Sequence, residues 1–359
     1  MTPGTQGVTL GSSPAPQAKT ARVAVLGATG YAGGEFVRLA LAHPGITIDS
    51  LVLRSPEQSL EDALPGLDPG ALVGGGPERI GYDALEERIA RGGVDLLVVA
   101  LPHGAWSALC AERPTLAEAA APLRVLDLSS DHRDGSAGYV YGLPEAFRED
   151  IRAAQRVANP GCYPTAAALA LLPAAAAGWI DGPVTVQALS GVTGAGRAAS
   201  LSTSFVELDG GASFYKVGTV HAHVAEMART ISRLTQGRAA EIAFVPQLVP
   251  MARGILLTAQ CRISQRVSPD EARAAYALAY AGEPFVRTLP ADAWPKTRAV
   301  RGSNRADVQV TTVFDDGTLL ATVAIDNLSK GAGSQALQNL NLMLDWPETT
   351  GLSPHGRPW

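Results

Sequence analysis

The sequence is short of the residues that staple small folds or bind polyanions. Its 359 residues hold only three cysteines, Cys110, Cys162 and Cys261, far apart and without CxxC spacing. Neither a disulfide framework nor a zinc site is expected, and the thiols read as reduced groups of a cytoplasmic protein. Charged residues are only 18% of the chain, and 29 Lys and Arg against 34 Asp and Glu leave a net charge of −5. The basic excess of a nucleic-acid binder is missing. No apolar run reaches the roughly 18 residues of a membrane span. The longest candidate, Ala166 to Ala177, is mostly alanine and carries Pro173. The first twenty residues are rich in Gly, Ser, Pro, Thr and Gln and have no apolar h-region, so residues 1–21 are expected to be a disordered tail, not a signal peptide. No internal repeat is found.

What is present is a chain 46% hydrophobic, long enough for about two domains of roughly 150 residues each. Short apolar runs at Arg22–Gly27, Ile46–Leu53, Val94–Ala100 and Leu123–Leu128 alternate with helical patterns, which implies a parallel sheet. From about Asn159 the pattern changes. An alanine-rich helix over Pro164–Ala177 is followed by runs at Val184–Leu189, Glu241–Val245, Ile255–Ile263, Val308–Val313 and Leu319–Ile325. Several alternate in polarity, as half-exposed antiparallel strands do. The expected fold is α/β: an N-terminal Rossmann dinucleotide-binding domain over residues 22–159, then an α+β domain with a mixed or antiparallel sheet over 160–326. The last helical stretch, within 327–346, has no partner of its own and is expected to return to the first domain.

Two segments carry chemistry. Gly27-Ala28-Thr29-Gly30-Tyr31-Ala32-Gly33 lies between the first strand and first helix, where a dinucleotide diphosphate binds. Gly27 would allow the tight turn, Gly30 the close approach of phosphate and Gly33 close helix packing. The second strand ends in Leu53-Arg54-Ser55, where NAD sites place a carboxylate. A cation and a hydroxyl there suit the 2′-phosphate of NADP(H). Cys162 stands in Asn159-Pro160-Gly161-Cys162-Tyr163-Pro164-Thr165, at the start of the alanine-rich helix. The positive end of the helix dipole is expected to lower its pKa and make it a nucleophile. Cys110 and Cys261 read as apolar fillers. His221 and His223, in His221-Ala222-His223, lack a third ligand for zinc, and one of them is expected to be the acid–base partner of the thiol. No metal is expected.

These segments resemble the N-acetyl-γ-glutamyl-phosphate reductases, arginine-biosynthesis relatives of aspartate-semialdehyde dehydrogenase. The resemblance runs through GATGYAGGE (27–35), ALPHG (100–104), DLSSDHR (127–133) and YGLPE (141–145). It continues with NPGCYPT (159–165), SGVTGAGR (190–197), HAHVAE (221–226), FVPQLVPMARG (244–254) and DNLSKGAGSQALQN (326–339), in order along nearly the whole chain after residue 21. It implies Cys162 as nucleophile, His223 as acid–base and His221 nearer the substrate. It also implies that Arg253 and Arg197 hold substrate anions, with Ser190 in a donor loop nearby, and that Asn327 and Gly331 border the nicotinamide. The implied reaction is NADPH-dependent reduction of a small acyl phosphate, N-acetyl-L-glutamyl 5-phosphate, to the semialdehyde through a thioester. The implied assembly is a homo-oligomer, a dimer or tetramer, formed through the second domain. Ala222 departs from the family, which usually has Arg there, and Gly333-Ser334 replaces a typical Ala-Gly. The rivals are a reductase of aspartyl or carrier-linked aminoadipyl phosphate, and a non-catalytic NADP-binding redox sensor. No Tyr-x-x-x-Lys pair supports a short-chain dehydrogenase.

Overall fold

A computed structural model describes residues 20–357 except 69, 71, 73–75, 236, 238–239 and 315–316. Most of the expected tail, residues 1–19, lies outside the described residues, and its last residue, Ala21, already opens a strand.

Seven strands form the first sheet: β1 (Ala21–Leu26), β2 (Ile46–Val52), β3 (Glu78–Ile80), β4 (Leu96–Val99), β5 (Arg124–Asp127), β6 (Val140–Tyr141) and β7 (Arg156–Ala158). Their order is β3-β2-β1-β4-β5-β7-β6, and every pairing is parallel. The strand β4, Leu-Leu-Val-Val, is buried at all four positions, as a strand covered on both faces requires. The order reverses direction between β1 and β4. In open parallel sheets a ligand crevice lies beyond the carboxyl ends of the strands at that point.

The second sheet holds β8 (Ile180–Ser190), β9 (Ser213–Phe214), β10 (Ile242–Leu248), β11 (Ile255–Ile263), β12 (Val286–Thr288), β13 (Ala306–Val313) and β14 (Thr318–Ile325). Its order is β12-β13-β14-β11-β8-β10-β9. The sheet is mixed: β8 with β10 and β12 with β13 are parallel, while the long central pairs β8–β11, β11–β14 and β13–β14 are antiparallel. Burial alternates strictly along β11, so one face packs on a core and the other does not.

That core is covered by the helix Cys162–Ala176, buried almost all round. Small alanine side chains let it sit close to the sheet. Pro173 does not stop it. The proline lacks the N–H that would bond the Leu169 carbonyl, and the Tyr280 hydroxyl donates to that carbonyl instead, at 2.6 Å. The closing helix Ser334–Met343 is buried at all ten positions. It places Leu337 and Leu340 in one core with Phe36 and Val37 of the first helix, Tyr31–Ala40. Asn341 Oδ1 accepts from the His43 Nε2–H at 3.0 Å, while His43 Nδ1 accepts from the Gly45 N–H, so the closing helix also ties down the end of the first helix. The chain therefore crosses back to the first sheet directly after β14, carrying residues 326–333 past the start of the Cys162 helix.

Candidate active site

The carboxyl ends of five parallel strands open onto one cleft of about 870 Å³: Leu53 after β2, Gly27 after β1, Ala100 after β4, Leu128 after β5 and Asn159 after β7. A volume of this order suits a dinucleotide or drug-sized ligand. Gly27 has φ +79°, and a Cβ there would come within 2.4 Å of the Ala100 carbonyl oxygen. A Cβ on Gly33 would lie 2.4 Å from the Gly27 carbonyl oxygen. These two glycines are demanded by the turn and by the packing of helix on strand. Gly30 differs: a Cβ there would meet only the Gly27 carbonyl, at 3.6 Å. Above it is open ground at a helix start, which suits a diphosphate. Thr29, Tyr31, Arg54 and Ser55 line the same end.

At the other end stand Cys162 and His223. Cys162 is the first residue of its helix, and it is deep in the molecule yet half-exposed to the cleft. The expectation of a lowered pKa is overturned. Burial pushes the thiol up to about 11; the Arg133 cation and two backbone N–H groups pull it down, and the Glu226 carboxylate opposes them. Loss of hydration thus outweighs the Arg133 charge and the backbone N–H groups at the helix start. Burial also brings His223 down to about 3, against an upward pull from Glu226. At neutral pH the pair rests as thiol and neutral imidazole. No hydrogen bond joins the two among the described residues.

Beneath them lies a cluster for which the sequence reading assigned no roles. Glu226, one turn after His223, accepts from the Gly161 N–H at 2.8 Å and the Tyr141 hydroxyl at 2.9 Å through one oxygen. Its other oxygen accepts from Arg133 at 3.0 Å. Arg133 also donates to the carbonyls of Asn159 and Leu128. Burial pushes against the Glu226 carboxylate, yet Arg133 and His223 beside it hold its pKa below the usual value. Gly161 lies against all three of these side chains. A Cβ there would meet His223 Nε2 at 2.7 Å and Arg133 Nη1 at 2.8 Å. The visible signals were Glu226 at i+3 from His223 and the arginine closing DLSSDHR.

Asn327 and Gly331 also line the cleft. Asn327 accepts from the Gly254 N–H at 2.8 Å and donates to Thr193 Oγ1 at 3.0 Å. Gly331 sits so near the cysteine that a Cβ on it would be 2.8 Å from Cys162 Cβ.

Four expected substrate residues fall elsewhere. Arg253 does not face the cleft as a free cation. Its guanidinium is bound by Glu35 at 3.0 Å, Asp326 at 2.9 Å and Ser329 at 2.8 Å, so its donors are spent on tying β14's exit to the first helix. Ser190 is buried behind the lining residue Gly194 and donates to the Gly191 carbonyl. His221 lies behind His223 as the cap of the helix Ala222–Leu234, its Nδ1 accepting from the His223 N–H. Its ring lies against Tyr163, Tyr215 and Phe244, and burial lowers it to about 4. Arg197 lines the cleft, but at the nucleotide end. Ala222 is exposed. Cys261 is buried and Cys110 partly so. Among the described residues no group of three His, Cys, Asp or Glu is placed to hold a metal, and no helix is long and apolar enough to cross a membrane.

Comparison with known proteins decides the family. Residues 22–154 match the semialdehyde dehydrogenase NAD binding domain, and residues 162–327 the semialdehyde dehydrogenase dimerisation domain. An N-acetyl-gamma-glutamyl-phosphate reductase from Frankia casuarinae is 40% identical over 354 residues, spanning 93% of this chain and 98% of the relative. One from Thermus thermophilus is 41% identical over 360 residues, spanning 92% and 99%. The chain belongs to the N-acetyl-gamma-glutamyl-phosphate reductase family. Among solved structures, aspartate semialdehyde dehydrogenase II from Vibrio cholerae superposes with a TM-score of 0.69 at 18% identity, covering 91% of this chain and 99% of that one. The Candida albicans aspartate semialdehyde dehydrogenase, solved with NADP, superposes at 0.64 with 14% identity, covering 91% and 99%. At these identities the likeness shows the fold. Membership of the reductase family makes this chain an oxidoreductase of the semialdehyde dehydrogenase type with a nicotinamide dinucleotide as cofactor.

Proposed function

We propose that this chain reduces N-acetyl-L-glutamyl 5-phosphate to N-acetyl-L-glutamate 5-semialdehyde, releasing phosphate, with Cys162 as nucleophile and His223 as proton carrier. One observation carries the assignment of roles: Cys162 and His223 open onto the same cleft as the Gly27–Gly33 turn, with Gly331 against the thiol. NADP(H) is the favoured cofactor. The open ground at Gly30 fits the diphosphate, and Arg54 with Ser55 at the end of β2 fits a 2′-phosphate.

In the first step Cys162 Sγ bonds to the acyl carbon, and the C–O bond breaks with its electron pair leaving on phosphate. The thiol proton passes through His223 to that phosphate. Because the resting thiol is neutral, the proton departs as the C–S bond forms, which is general-base catalysis. Arg133, a buried cation whose charge favours the ionised sulfur, stabilises the developing thiolate. When bound, NADPH supplies the hydride that converts the thioester carbon to the aldehyde level. As the C–S bond breaks, sulfur recovers its electron pair and a proton through His223, so one solvent proton is consumed per turnover.

A redox-sensing role without catalysis is disfavoured by the same geometry. A sensor thiol needs neither an acid–base partner nor a nucleotide turn, whereas Cys162 shares its cleft with His223 and the Gly27–Gly33 turn. A thiol nucleophile fits the reducing cytoplasm. The family model's dimerisation domain over residues 162–327 supports a homo-oligomer formed through the second sheet. The test is a substrate panel in the favourable reverse direction: N-acetyl-L-glutamate 5-semialdehyde or aspartate semialdehyde, each with phosphate and NADP. Phosphate-dependent NADPH formation with the N-acetylated substrate supports the reading. Preference for aspartate semialdehyde overturns it.

A further inference from the structure

We infer that Arg197 is a clamp that the second unit extends across the cleft onto the dinucleotide's diphosphate. Its Nη1 donates to the carbonyls of Thr29 at 2.9 Å and Ala63 at 3.2 Å. Both belong to the first unit: Thr29 lies in the glycine turn one residue before Gly30, and Ala63 ends the short helix Leu60–Ala63. Arg197 itself follows β8, on the loop through Val192–Ala195.

That loop has a fixed base. The Val192 and Thr193 N–H groups donate to Met251 and Ala252 carbonyls at 3.0 and 3.2 Å, and Thr193 is held by Asn327. A Cβ on Gly191 would come within 2.7 Å of the Ala252 carbonyl. Gly196, at φ +88°, then turns the chain outward, so the arginine leaves a rigid base toward the nucleotide end.

Charge bookkeeping separates Arg197 from its neighbours. Arg253 is bound by Glu35 and Asp326, and Arg133 by Glu226. Arg197 makes no ion pair among the described residues; its recorded partners are two neutral carbonyls, both reached by Nη1. Its Nε and Nη2 donors have no hydrogen-bond partner among the described residues, and a guanidinium with open donors suits paired phosphate oxygens. The carbonyl it holds adjoins the one glycine of the turn that faces open ground. Bound there, the dinucleotide is gripped from both units, and the loop that grips it also reaches Asn327, on the segment whose Gly331 packs against Cys162.

This inference rests on the dinucleotide reading of the cleft, so the experiment measures binding, without acyl phosphate. NADPH and NADH are titrated by their fluorescence against the wild type, Arg197→Ala and Arg197→Lys, with the unliganded Tm of each protein measured alongside. The expected result is an unchanged Tm and a Kd raised by a similar factor for both nucleotides, on the order of 10–100-fold for alanine and less for lysine. Normal wild-type binding with unchanged Kd in Arg197→Ala overturns the clamp. Weakening confined to NADPH moves Arg197 to the 2′-phosphate and overturns the diphosphate assignment. A wild type that binds neither nucleotide removes the underlying reading first.

Discussion

The two ends of the cleft are built from opposite materials. The nucleotide end is backbone: glycines at 27, 30 and 33, a helix start and surface cations. The thiol end is buried side-chain charge, with Arg133, Glu226, Tyr141 and His223 packed around Gly161. On the proposed function the first would bind by leaving room and offering N–H groups. The second would react by withholding water, and burial keeps Cys162 and His223 neutral at rest. Substitutions at the nucleotide end should therefore move nucleotide Kd, and substitutions at the thiol end should move kcat.

The sharpest division is expected for Cys162→Ser, with turnover reduced on the order of 10⁴-fold or more and NADPH binding unchanged in a fluorescence titration. A matching loss of binding would break the comparison. Next is Glu226→Ala. It strands Arg133 without its partner, and breaking a buried pair costs about 3–5 kcal/mol, read as a lowered Tm. Glu226→Gln keeps the shape and should lose less stability than alanine while still lowering kcat. Gly331→Ala places a Cβ 2.8 Å from that of Cys162 and should lower kcat about 10–100-fold, because small displacements of reacting groups are expensive. Arg54→Ala, at the opposite end, should leave kcat with NADPH almost unchanged and reduce the preference for NADPH over NADH by about tenfold.

A separate effect is on stability against pH. The folded His223 sits near 3, below its ordinary 6.5, so the unfolded chain takes up protons first as pH falls. The stability linked to this histidine is complete above pH 6.5 and is lost progressively down to about pH 3. His221, near 4, adds in the same direction. His223→Asn should flatten part of that decline in a Tm-against-pH series. An unchanged slope would show that the ring is hydrated, against the account of a dry thiol end.

The same contrast explains what could be read from the chain alone. The glycine turn, Arg54 and Ser55 were legible because a β-to-α turn is local: seven consecutive residues state its whole geometry. The long central strands were legible for the same reason. The short strands β3, β6, β7, β9 and β12 have two or three residues each, too few for a period to show. At the thiol end the decisive partners are distant in sequence. Arg133 and Glu226 are 93 residues apart, and Tyr141 and Glu226 85. A helix start beside a cysteine is a local feature, and it pointed to a lowered pKa; the surrounding burial is a tertiary feature, and it won. Arg253 misled similarly, since nothing near it announces that Glu35, 218 residues earlier, will occupy its donors.

The most direct measurement is mass mapping of the protein mixed with N-acetyl-L-glutamyl 5-phosphate when no hydride donor is present. The account predicts an N-acetylglutamyl adduct on the peptide containing Cys162, released by NADPH as semialdehyde and missing from Cys162→Ser. A protein that turns over with NADPH but carries its adduct on another residue would contradict it.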